Sequence, residues 1–278
     1  MWRLFSLLLL VAGALAAFAN SSGQFRFAII GDRTGGAVPG VYEETWREVS
    51  SEHPDFAVNV GDTIQGGNDA NADAEWAKVT KLVLPYRRCP LFLVPGNHDV
   101  WSAASAAVFQ KYARHSLHYG FDYGNAHFTV LDNSRSDSLA PDEIQFLRQD
   151  LQAHEKQPVK FVFSHRPSWI LQLVLANPNF PVHKIAKQYN VKYVIAGHIH
   201  QMLRFHLDGI TYVSMASSGG HLRAEKDYKD GWFFGYALIS VRGDSVNFTV
   251  KELGPPFGRS RQTDLERWGP AGLTTNEQ

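Results

Sequence analysis

Five short apolar runs in this sequence end in side chains of the kinds that bind metal ions. The runs and the residues that follow them are 27–31 with Asp32, 56–61 with Asp62, 91–96 with Asn97, His98 and Asp99, 161–164 with His165, and 193–197 with His198 and His200. Ligands of an open α/β sheet gather outside the carboxyl ends of its strands. We therefore expect these side chains to converge on one cleft, with the glycines before several of them allowing tight turns.

Each of these signals is weak when taken singly. A Gly-Asp pair after a strand is usually a turn, and a lone histidine is usually structural. The ordered set of Asp, Gly-Asp, Gly-Asn-His-Asp, His and Gly-His-x-His is much more specific than its parts. Its nitrogen and oxygen donors, without thiolates, suit manganese, iron or zinc.

This ordered set resembles the calcineurin-like metallophosphoesterase superfamily, and the resemblance runs from Asp32 to His200. It implies a four-layer α/β/β/α sandwich of two mixed sheets flanked by helices. It also implies two divalent or trivalent metal ions, among manganese, iron and zinc. The implied activity is hydrolysis of a phosphate-ester substrate, a phosphomonoester or a phosphodiester, by attack of a metal-activated hydroxide.

The resemblance also assigns a role to each ligand-type residue. The implied metal ligands are Asp62 as the bridge between the ions, Asp32 and His200 on one ion, and Asn97, His165 and His198 on the other. His98 is the implied catalytic residue facing the phosphate, and Asp99 is implied to fix its orientation. Substrate contacts are expected from Arg33, Asn97 and His98.

The sequence departs from the commonest family pattern at its first motif. Thr34 stands where the usual Asp-x-His motif has its histidine. Gln65 stands three residues after Asp62, where the purple acid phosphatase group has a tyrosine. Gln65 either supplies an amide oxygen or is an ordinary loop residue. A catalytically weak or inactive metal- or phosphate-binding protein on the same fold is therefore the alternative function.

Several residues near the motifs have two open interpretations. Arg33 and Arg166 either clamp a phosphate or pair with a carboxylate. His221 either lines the cleft or is a loop residue, whereas Trp101 and Trp169 either stack on a substrate or pack in the core. The histidines that match no motif position are taken as structural or surface residues: His53, His115, His118, His127, His154, His183 and His206.

Alternating apolar runs and helical patterns supply the elements that would position these residues. The predicted strands are 25–30, 56–60, 91–94, 128–131, 159–163, 191–196, 210–215, 236–241 and 245–251. The predicted helices are 41–52, 73–83, 141–154 and 182–189. The early strands are continuously apolar, which is typical of strands covered on both faces, and the last ones predict an antiparallel portion.

The chain as a whole limits the classes of function. Its 27 Lys and Arg balance 27 Asp and Glu, so we expect no broad nucleic-acid footprint. Residues 1–19 combine Arg3, an apolar stretch and an Ala-Phe-Ala site, which predicts a cleaved signal peptide and no stable membrane anchor afterwards. We therefore expect an exported protein, periplasmic or secreted, with a metallophosphoesterase domain at 20–253 and a C-terminal tail at 254–278. Cys89 is the single cysteine, so no internal disulfide is expected.

Overall fold

The computed structural model describes residues 24–223, 231–254 and 260–265. Its strands are β1 (Gln24–Ile30), β2 (Phe56–Asn59), β3 (Leu91–Leu93), β4 (Tyr119–Tyr123), β5 (Ala126–Val130), β6 (Val159–Phe163), β7 (Tyr193–Ala196), β8 (Leu203–Leu207), β9 (Ile210–Ser214), β10 (Gly235–Arg242), β11 (Ser245–Glu252) and β12 (Arg261–Asp264). Its helices are α1 (Val41–Ser51), α2 (Asp69–Val83), α3 (Ala103–Ala113), α4 (Pro141–Ala153), α5 (Ile170–Val174) and α6 (Pro181–Gln188). Within these ranges, no helix has the length and apolar character needed to cross a membrane.

The strands form two six-stranded mixed sheets. The first has the order β12-β11-β10-β1-β2-β3, in which β1, β2 and β3 run parallel and β10, β11 and β12 alternate in direction. The second has the order β4-β5-β6-β7-β9-β8, with a parallel centre and an antiparallel strand at each edge. Parallel neighbours end at the same edge of a sheet, so the loops that follow them meet there.

Alternation along the strands divides the core into three layers. In β1, Phe27 and Ile29 face the second sheet, whereas Ile30 packs on the helices outside the first sheet. The rings of Phe27 and Phe161 meet edge to face across the two sheets, with centroids 5.2 Å apart. Helices α1 to α3 cover the first sheet, and α4 to α6 cover the second. The predicted α/β/β/α sandwich of two mixed sheets is therefore confirmed.

Each predicted strand and helix has a counterpart in the structure, but five elements were missed. They are β4, β8, β12, α3 and α5. Helix α2 also begins at Asp69 rather than 73, because the side chain of Asn68 caps it by accepting from the amide of Ala70. In α3, the hydroxyls and amides of Ser102 and Ser105 form a capping box ahead of an alanine-rich stretch without clear amphipathic spacing.

The predicted ends of the chain are described only in part. The predicted signal peptide at 1–19 lies outside the described residues, as does most of the predicted tail at 254–278. Within that tail, β12 pairs antiparallel with β11 as the edge strand of the first sheet. The boundary predicted at residue 253 therefore falls inside this sheet.

Candidate metal centre

Four predicted ligands meet closely at the edge where the parallel strands end. The Nε2 atom of His165 lies 3.2 Å from Asp62 Oδ1 and 3.0 Å from Asn97 Oδ1. It also lies 3.2 Å from the Nδ1 atom of His198. Asp62, His165 and His198 form a group whose ligand atoms all lie within 4.8 Å of one another. The structure thus brings these residues together from both sheets, as the sequence predicted.

The hydrogen bonds around His165 indicate which of its atoms faces the cluster as an acceptor. Its Nδ1 atom lies 2.8 Å from the carbonyl oxygen of Val60, which can only accept a hydrogen bond. With a proton on Nδ1, Nε2 points at the oxygens of Asp62 and Asn97, and it either carries the second proton of a charged imidazole or offers its lone pair to a metal ion. Acceptors that converge in this way repel one another unless a cation lies between them. This set of nitrogen and oxygen ligand atoms therefore fits a metal ion.

Asp32 and His200 lie next to this group, with Asp32 Oδ1 3.8 Å from the Nδ1 atom of His165. Asp32 is fully buried, and its oxygens accept from the backbone amide of His198 at 2.9 and 3.1 Å. The Nε2 atom of His200 lies 3.9 Å from Asp32 Oδ1. The Nδ1 atom of His200 lies 2.8 Å from the carbonyl oxygen of His221, which leaves Nε2 as the ligand atom. Asp32 and His200 are thus a candidate pair of ligands for a second ion.

Three ligands occupy left-handed backbone conformations. The φ angles are 56° for Asp62, 72° for His198 and 62° for His200. Non-glycine residues held in this region cost on the order of 1–3 kcal/mol each, and such strain is concentrated at functional sites. The conformations turn the loops sharply at the ends of β2 and β7, so that the side chains face the cleft.

The glycines that precede the ligands permit the close approach of neighbouring loops. A Cβ on Gly96 would lie 2.3 Å from Asp62 Oδ1, and one on Gly197 would lie 2.6 Å from Asp32 Oδ2. Both distances are below the 3.0 Å that real Cβ contacts respect. The backbone therefore packs directly against the two carboxylates, which explains the Gly-Asn-His-Asp and Gly-His-x-His spacing.

Asp99 does not orient His98, which corrects the role that the family resemblance implied. Its Oδ1 accepts from the amides of Thr63 at 2.8 Å and Ile64 at 3.1 Å, and its Oδ2 accepts from the amide of Gly96 at 3.0 Å. The carboxylate thus ties together the two loops that carry Asp62 and Asn97. The ring of His98 is positioned instead by the carbonyl oxygen of Gln65, 2.5 Å from its Nδ1.

Buried charges perturb the pKa values of the cluster. Burial raises the pKa of Asp62, but the charge and hydrogen bond of His165 outweigh burial and bring it below its ordinary value. Burial alone would lower the pKa of His165, yet the charges of Asp62 and Asp32 raise it to about 9. Burial and the charge of His165 lower the pKa of His198 to about 4. Burial and the charge of Asp62 raise the pKa of Asp99 to about 7. The buried carboxylates of Asp62 and Asp32 therefore favour positive charge in the middle of the cluster.

The two departures from the family pattern meet in space. The hydroxyl of Thr34 donates to the amide oxygen of Gln65 at 2.5 Å. Thr34 is fully buried, and its backbone amide donates to the carbonyl oxygen of Asp62. The oxygens of Thr34 and Gln65 therefore lie together beside the loop of the bridging aspartate, where the usual first motif would place an imidazole.

The arginines near the site differ in how firmly they are held. Arg166 forms an ion pair with Asp137 at 2.5 Å, which favours the carboxylate-pairing interpretation. Arg33 donates to the carbonyl oxygen of Thr63 at 3.1 Å, so its contact with phosphate stays a prediction. Arg223, which the sequence did not single out, donates to the carbonyl oxygen of His198 at 3.3 Å. Trp169 is 2% exposed and packs in the core, which agrees with the second of its two interpretations and not with stacking on a substrate.

Two supporting residues carry no motif signal. Asn133 is 3% exposed, and its Oδ1 accepts from the amides of His165 at 3.0 Å and Arg166 at 2.9 Å. His221 acts through its backbone carbonyl on His200, while its own ring lies 2.7 Å from the carbonyl oxygen of Gly35. Neither role can be read from residue type, because a backbone carbonyl and a loop asparagine look the same wherever they occur.

Comparison with known proteins agrees with this geometry. The family model described as calcineurin-like phosphoesterase matches residues 25–202. The chain is 22% identical over 169 residues to purple acid phosphatase 23 of Arabidopsis thaliana, covering 51% of this chain and 37% of that protein. It is 23% identical over 232 residues to the 3',5'-cyclic adenosine monophosphate phosphodiesterase CpdA of Haemophilus influenzae, covering 76% of this chain and 80% of that protein.

A solved structure shares the fold. It is purple acid phosphatase PPD1 from yellow lupin (Lupinus luteus) seeds, with a TM-score of 0.65 and 14% identity, covering 89% of this chain and 55% of that chain. This chain thus spans only about a third to a half of the length of the two purple acid phosphatases. Because the family model covers well over half of the sequence, the chain belongs to the calcineurin-like phosphoesterase family.

Proposed function

We propose that this protein is an exported hydrolase that cleaves a phosphomonoester or a phosphodiester with the help of two metal ions. The observation that carries the proposal is the convergence of His165 Nε2 with the ligand-type atoms of Asp62, Asn97 and His198, an arrangement that a metal ion would satisfy. Asp32 and His200 would hold the second ion beside the shared Asp62. When bound, the ions would stabilise the negative charge of the phosphate and lower the pKa of a bound water, so that a hydroxide is available to attack the phosphate.

The side chains around the ions then have separate tasks. Asp62 would lie between the ions, and its hydrogen bond from the amide of His98 at 2.9 Å fixes the position of the loop with Asn97. The Nδ1–H of His98 donates to the backbone carbonyl oxygen of Gln65, so Nε2 is the ring atom that would face the substrate. In the protonated ring, Nε2–H would donate to the leaving oxygen as a general acid. The guanidinium of Arg33 would add positive charge at the rim.

The relatives leave the class of ester open. One carries the name of a phosphatase and another that of a cyclic-nucleotide phosphodiesterase. A test must therefore include both a phosphomonoester and a phosphodiester. Aryl esters serve as general probes, because their good leaving group lowers the demand on specific substrate contacts.

The proposal of export rests on residues 1–19. Arg3, the following apolar stretch and the Ala-Phe-Ala site have the order of a cleaved signal peptide. Intact mass of protein recovered from the periplasm or medium would give a chain beginning at Asn20. Recovery of the uncleaved chain from the cytoplasm alone would refute this part of the proposal.

A second candidate function is a metal- or phosphate-binding protein with little or no turnover. It is favoured by Thr34, which replaces an imidazole of the first ion site. The retained His98 argues against it, because binding of a metal alone requires no proton donor facing the substrate.

The experiment that separates the two is elemental analysis combined with hydrolysis assays. Purified protein would be loaded with manganese, iron or zinc and assayed on an aryl phosphate and a bis-aryl phosphate. Asp62→Asn should lose metal and hydrolysis together, whereas the exposed Asp244→Asn should lose neither. Bound metal without hydrolysis of either ester, under all three metals, would favour the binding protein.

A further inference from the structure

A second cluster of ligand-type side chains lies at the opposite edge of the second sheet. It consists of Asp122 in β4, His127 in β5, and Asp150 and His154 at the end of α4, and we call it the hairpin–helix cluster. His127 pairs with Lys160 at the start of β6, and His165 of the metal centre follows the end of that strand. Five strand residues at about 3.3 Å each place the two sites roughly 16 Å apart.

Both histidines of the cluster direct one ring nitrogen at Asp150. The Nε2 atom of His127 lies 2.8 Å from Asp150 Oδ2, and the Nδ1 atom of His154 lies 2.7 Å from the backbone carbonyl of Asp150. The hydroxyl of Thr129 donates to the same Oδ2 at 2.6 Å. Since these oxygens accept hydrogen bonds, each ring carries a proton on the nitrogen that faces Asp150.

The other nitrogen of each ring faces Asp122. The Nδ1 atom of His127 lies 2.8 Å from Asp122 Oδ1, and the Nε2 atom of His154 lies 3.9 Å from Asp122 Oδ2. With their protons directed at Asp150, these nitrogens present lone pairs to a carboxylate. The side chain of His127 is 1% exposed and that of Asp122 is 46% exposed, so water reaches the carboxylate but not the buried imidazole. A cation between the rings and Asp122, either a proton or a metal ion, would remove the repulsion between these lone pairs and the carboxylate.

We propose that Asp122, His127 and His154 bind a divalent transition-metal ion such as zinc, with Asp150 orienting both rings. The three ligand atoms lie within 4.8 Å of one another. Two imidazole nitrogens and one carboxylate oxygen are a common zinc ligand set, which leaves a fourth position for water. Metal-binding histidines usually donate their other N–H to a carboxylate or a backbone carbonyl, and Asp150 supplies both kinds of acceptor.

The surroundings permit the small movement that binding requires. The rings of His127 and His154 are stacked with centroids 3.7 Å apart and planes at 9°, so one ring must tilt for both lone pairs to meet one ion. His154 follows the last residue of α4 and has 31% of its side chain exposed, which allows it to tilt. The buried His127 stays fixed by its two carboxylate partners.

Gly120 in β4 leaves the space that the carboxylate of Asp150 occupies. A Cβ at this position would lie 2.6 Å from Asp150 Oδ1, below the limit of real contacts. The absence of a side chain at residue 120 therefore lets the helix end approach the hairpin. A bound ion would join the β4–β5 hairpin to the end of α4 and stabilise this edge of the sheet.

The test compares zinc binding in four full-length proteins: wild type, Asp122→Asn, His154→Gln and His206→Gln. The first two variants alter ligands on the accessible side of the cluster, whereas His206 lies exposed on β8 and serves as the matched control. Zinc per chain would be measured after gel filtration, with circular dichroism to verify folding. We expect Asp122→Asn and His154→Gln each to bind one zinc ion fewer than wild type, and His206→Gln to bind the same number.

The thermal midpoint gives an independent readout. Free zinc at 100 times its dissociation constant for the cluster should raise Tm by roughly 5–10 °C through this site. This part of the rise should be missing in both ligand variants and present in the control. Equal zinc content and equal Tm gain in all four proteins would mean that a proton is the cation between the rings, and would overturn the proposal. The result does not depend on whether the binuclear centre hydrolyses an ester.

Discussion

Gly96→Ala is expected to displace Asp62, the proposed shared ligand, without replacing any of the proposed ligands. The added Cβ would lie 2.2 Å from the backbone nitrogen of Asp62 and 2.3 Å from its Oδ1. Ordinary contacts begin at 3.4 Å, so the carboxylate must move by the difference between 3.4 and 2.3 Å, or about 1 Å. The φ angle of Gly96 is outside the left-handed region, so alanine adds no backbone strain there.

Two effects of this displacement can be given magnitudes. Overpacking a tight site costs about 1–3 kcal/mol of unfolding free energy. The move also breaks the hydrogen bond from the amide of His98 to Asp62 Oδ1, which is 2.9 Å long. A 1 Å misplacement in a catalytic site lowers activity about 100-fold, and we expect a loss of that order in kcat/KM. Metal content should fall as well, because Asp62 would serve both ions.

The assay is metal per chain, Tm and hydrolysis of aryl esters measured on the same preparations. Gly67→Ala is the matched control, because Gly67 lies in the loop that contains Asp62 but has no heavy atom within 4 Å of its added Cβ. Its φ of 82° imposes backbone strain of about 1–2 kcal/mol, so it lowers Tm while metal content stays normal. If Gly96→Ala kept full metal content and activity and lost only stability, the assignment of Asp62 as the shared ligand would be refuted.

Three further predictions concern single side chains. His98→Ala should keep its metal content and lose about 10²- to 10⁴-fold in turnover, as expected for removal of a general acid, whereas loss of metal would contradict this role. Asn133→Ala removes the acceptor for the amides of His165 and Arg166 and should weaken metal affinity by about 10- to 100-fold in a competition titration, with unchanged affinity as the contrary result. Burial raises the pKa of Cys89 from 9.0 to about 11, so iodoacetamide at pH 8 should react about 100-fold more slowly than with an unperturbed thiol and speed up with rising pH; a rate equal to that of free cysteine would contradict this.

The predictable part of the fold was the part with a strong apolar pattern. Strands β2 and β6 and the last four residues of β1 are continuously buried, and their runs are evident in the sequence. In contrast, β4 alternates half-buried and exposed residues. It also contains Gly120 and Asp122, and glycine and aspartate are residue types with a low propensity for strands. It is a strand because it pairs with β5 at the sheet edge. Such long-range pairing has no counterpart in a local sequence window.

The convergence of the candidate ligands could be predicted because each of them follows the end of a strand. Roles that depend on the direction in which a side chain points could not be predicted. Asp99 follows His98 in sequence, yet its carboxylate bonds to the amides of Thr63, Ile64 and Gly96 instead of to its neighbour. Adjacent residues in a turn point in different directions, so adjacency alone does not predict contact.

The histidines outside the motifs show the same limit. His127 and His154 match no spaced motif, so the sequence alone predicts structural or surface roles for them. Their rings stack because a strand start and a helix end meet at the bottom of the second sheet. Only the tertiary structure reveals that Asp150 accepts from one ring through its carboxylate and from the other through its backbone.

The carboxylates of Asp32 and Asp62 have a structural task in addition to their proposed role as metal ligands, and this task decides how they should be substituted. Asp62 accepts from the amide of His98, and Asp32 accepts from the amide of His198. Each carboxylate therefore fixes a loop that carries other ligands, including Asn97. Replacement by alanine would remove a charge and release a loop at once, so loss of metal could not be assigned to either cause. Asparagine retains one oxygen acceptor for the amide and removes the charge. Loss of metal in Asp62→Asn, with Tm close to that of the metal-free wild type, would therefore identify the charge as the cause.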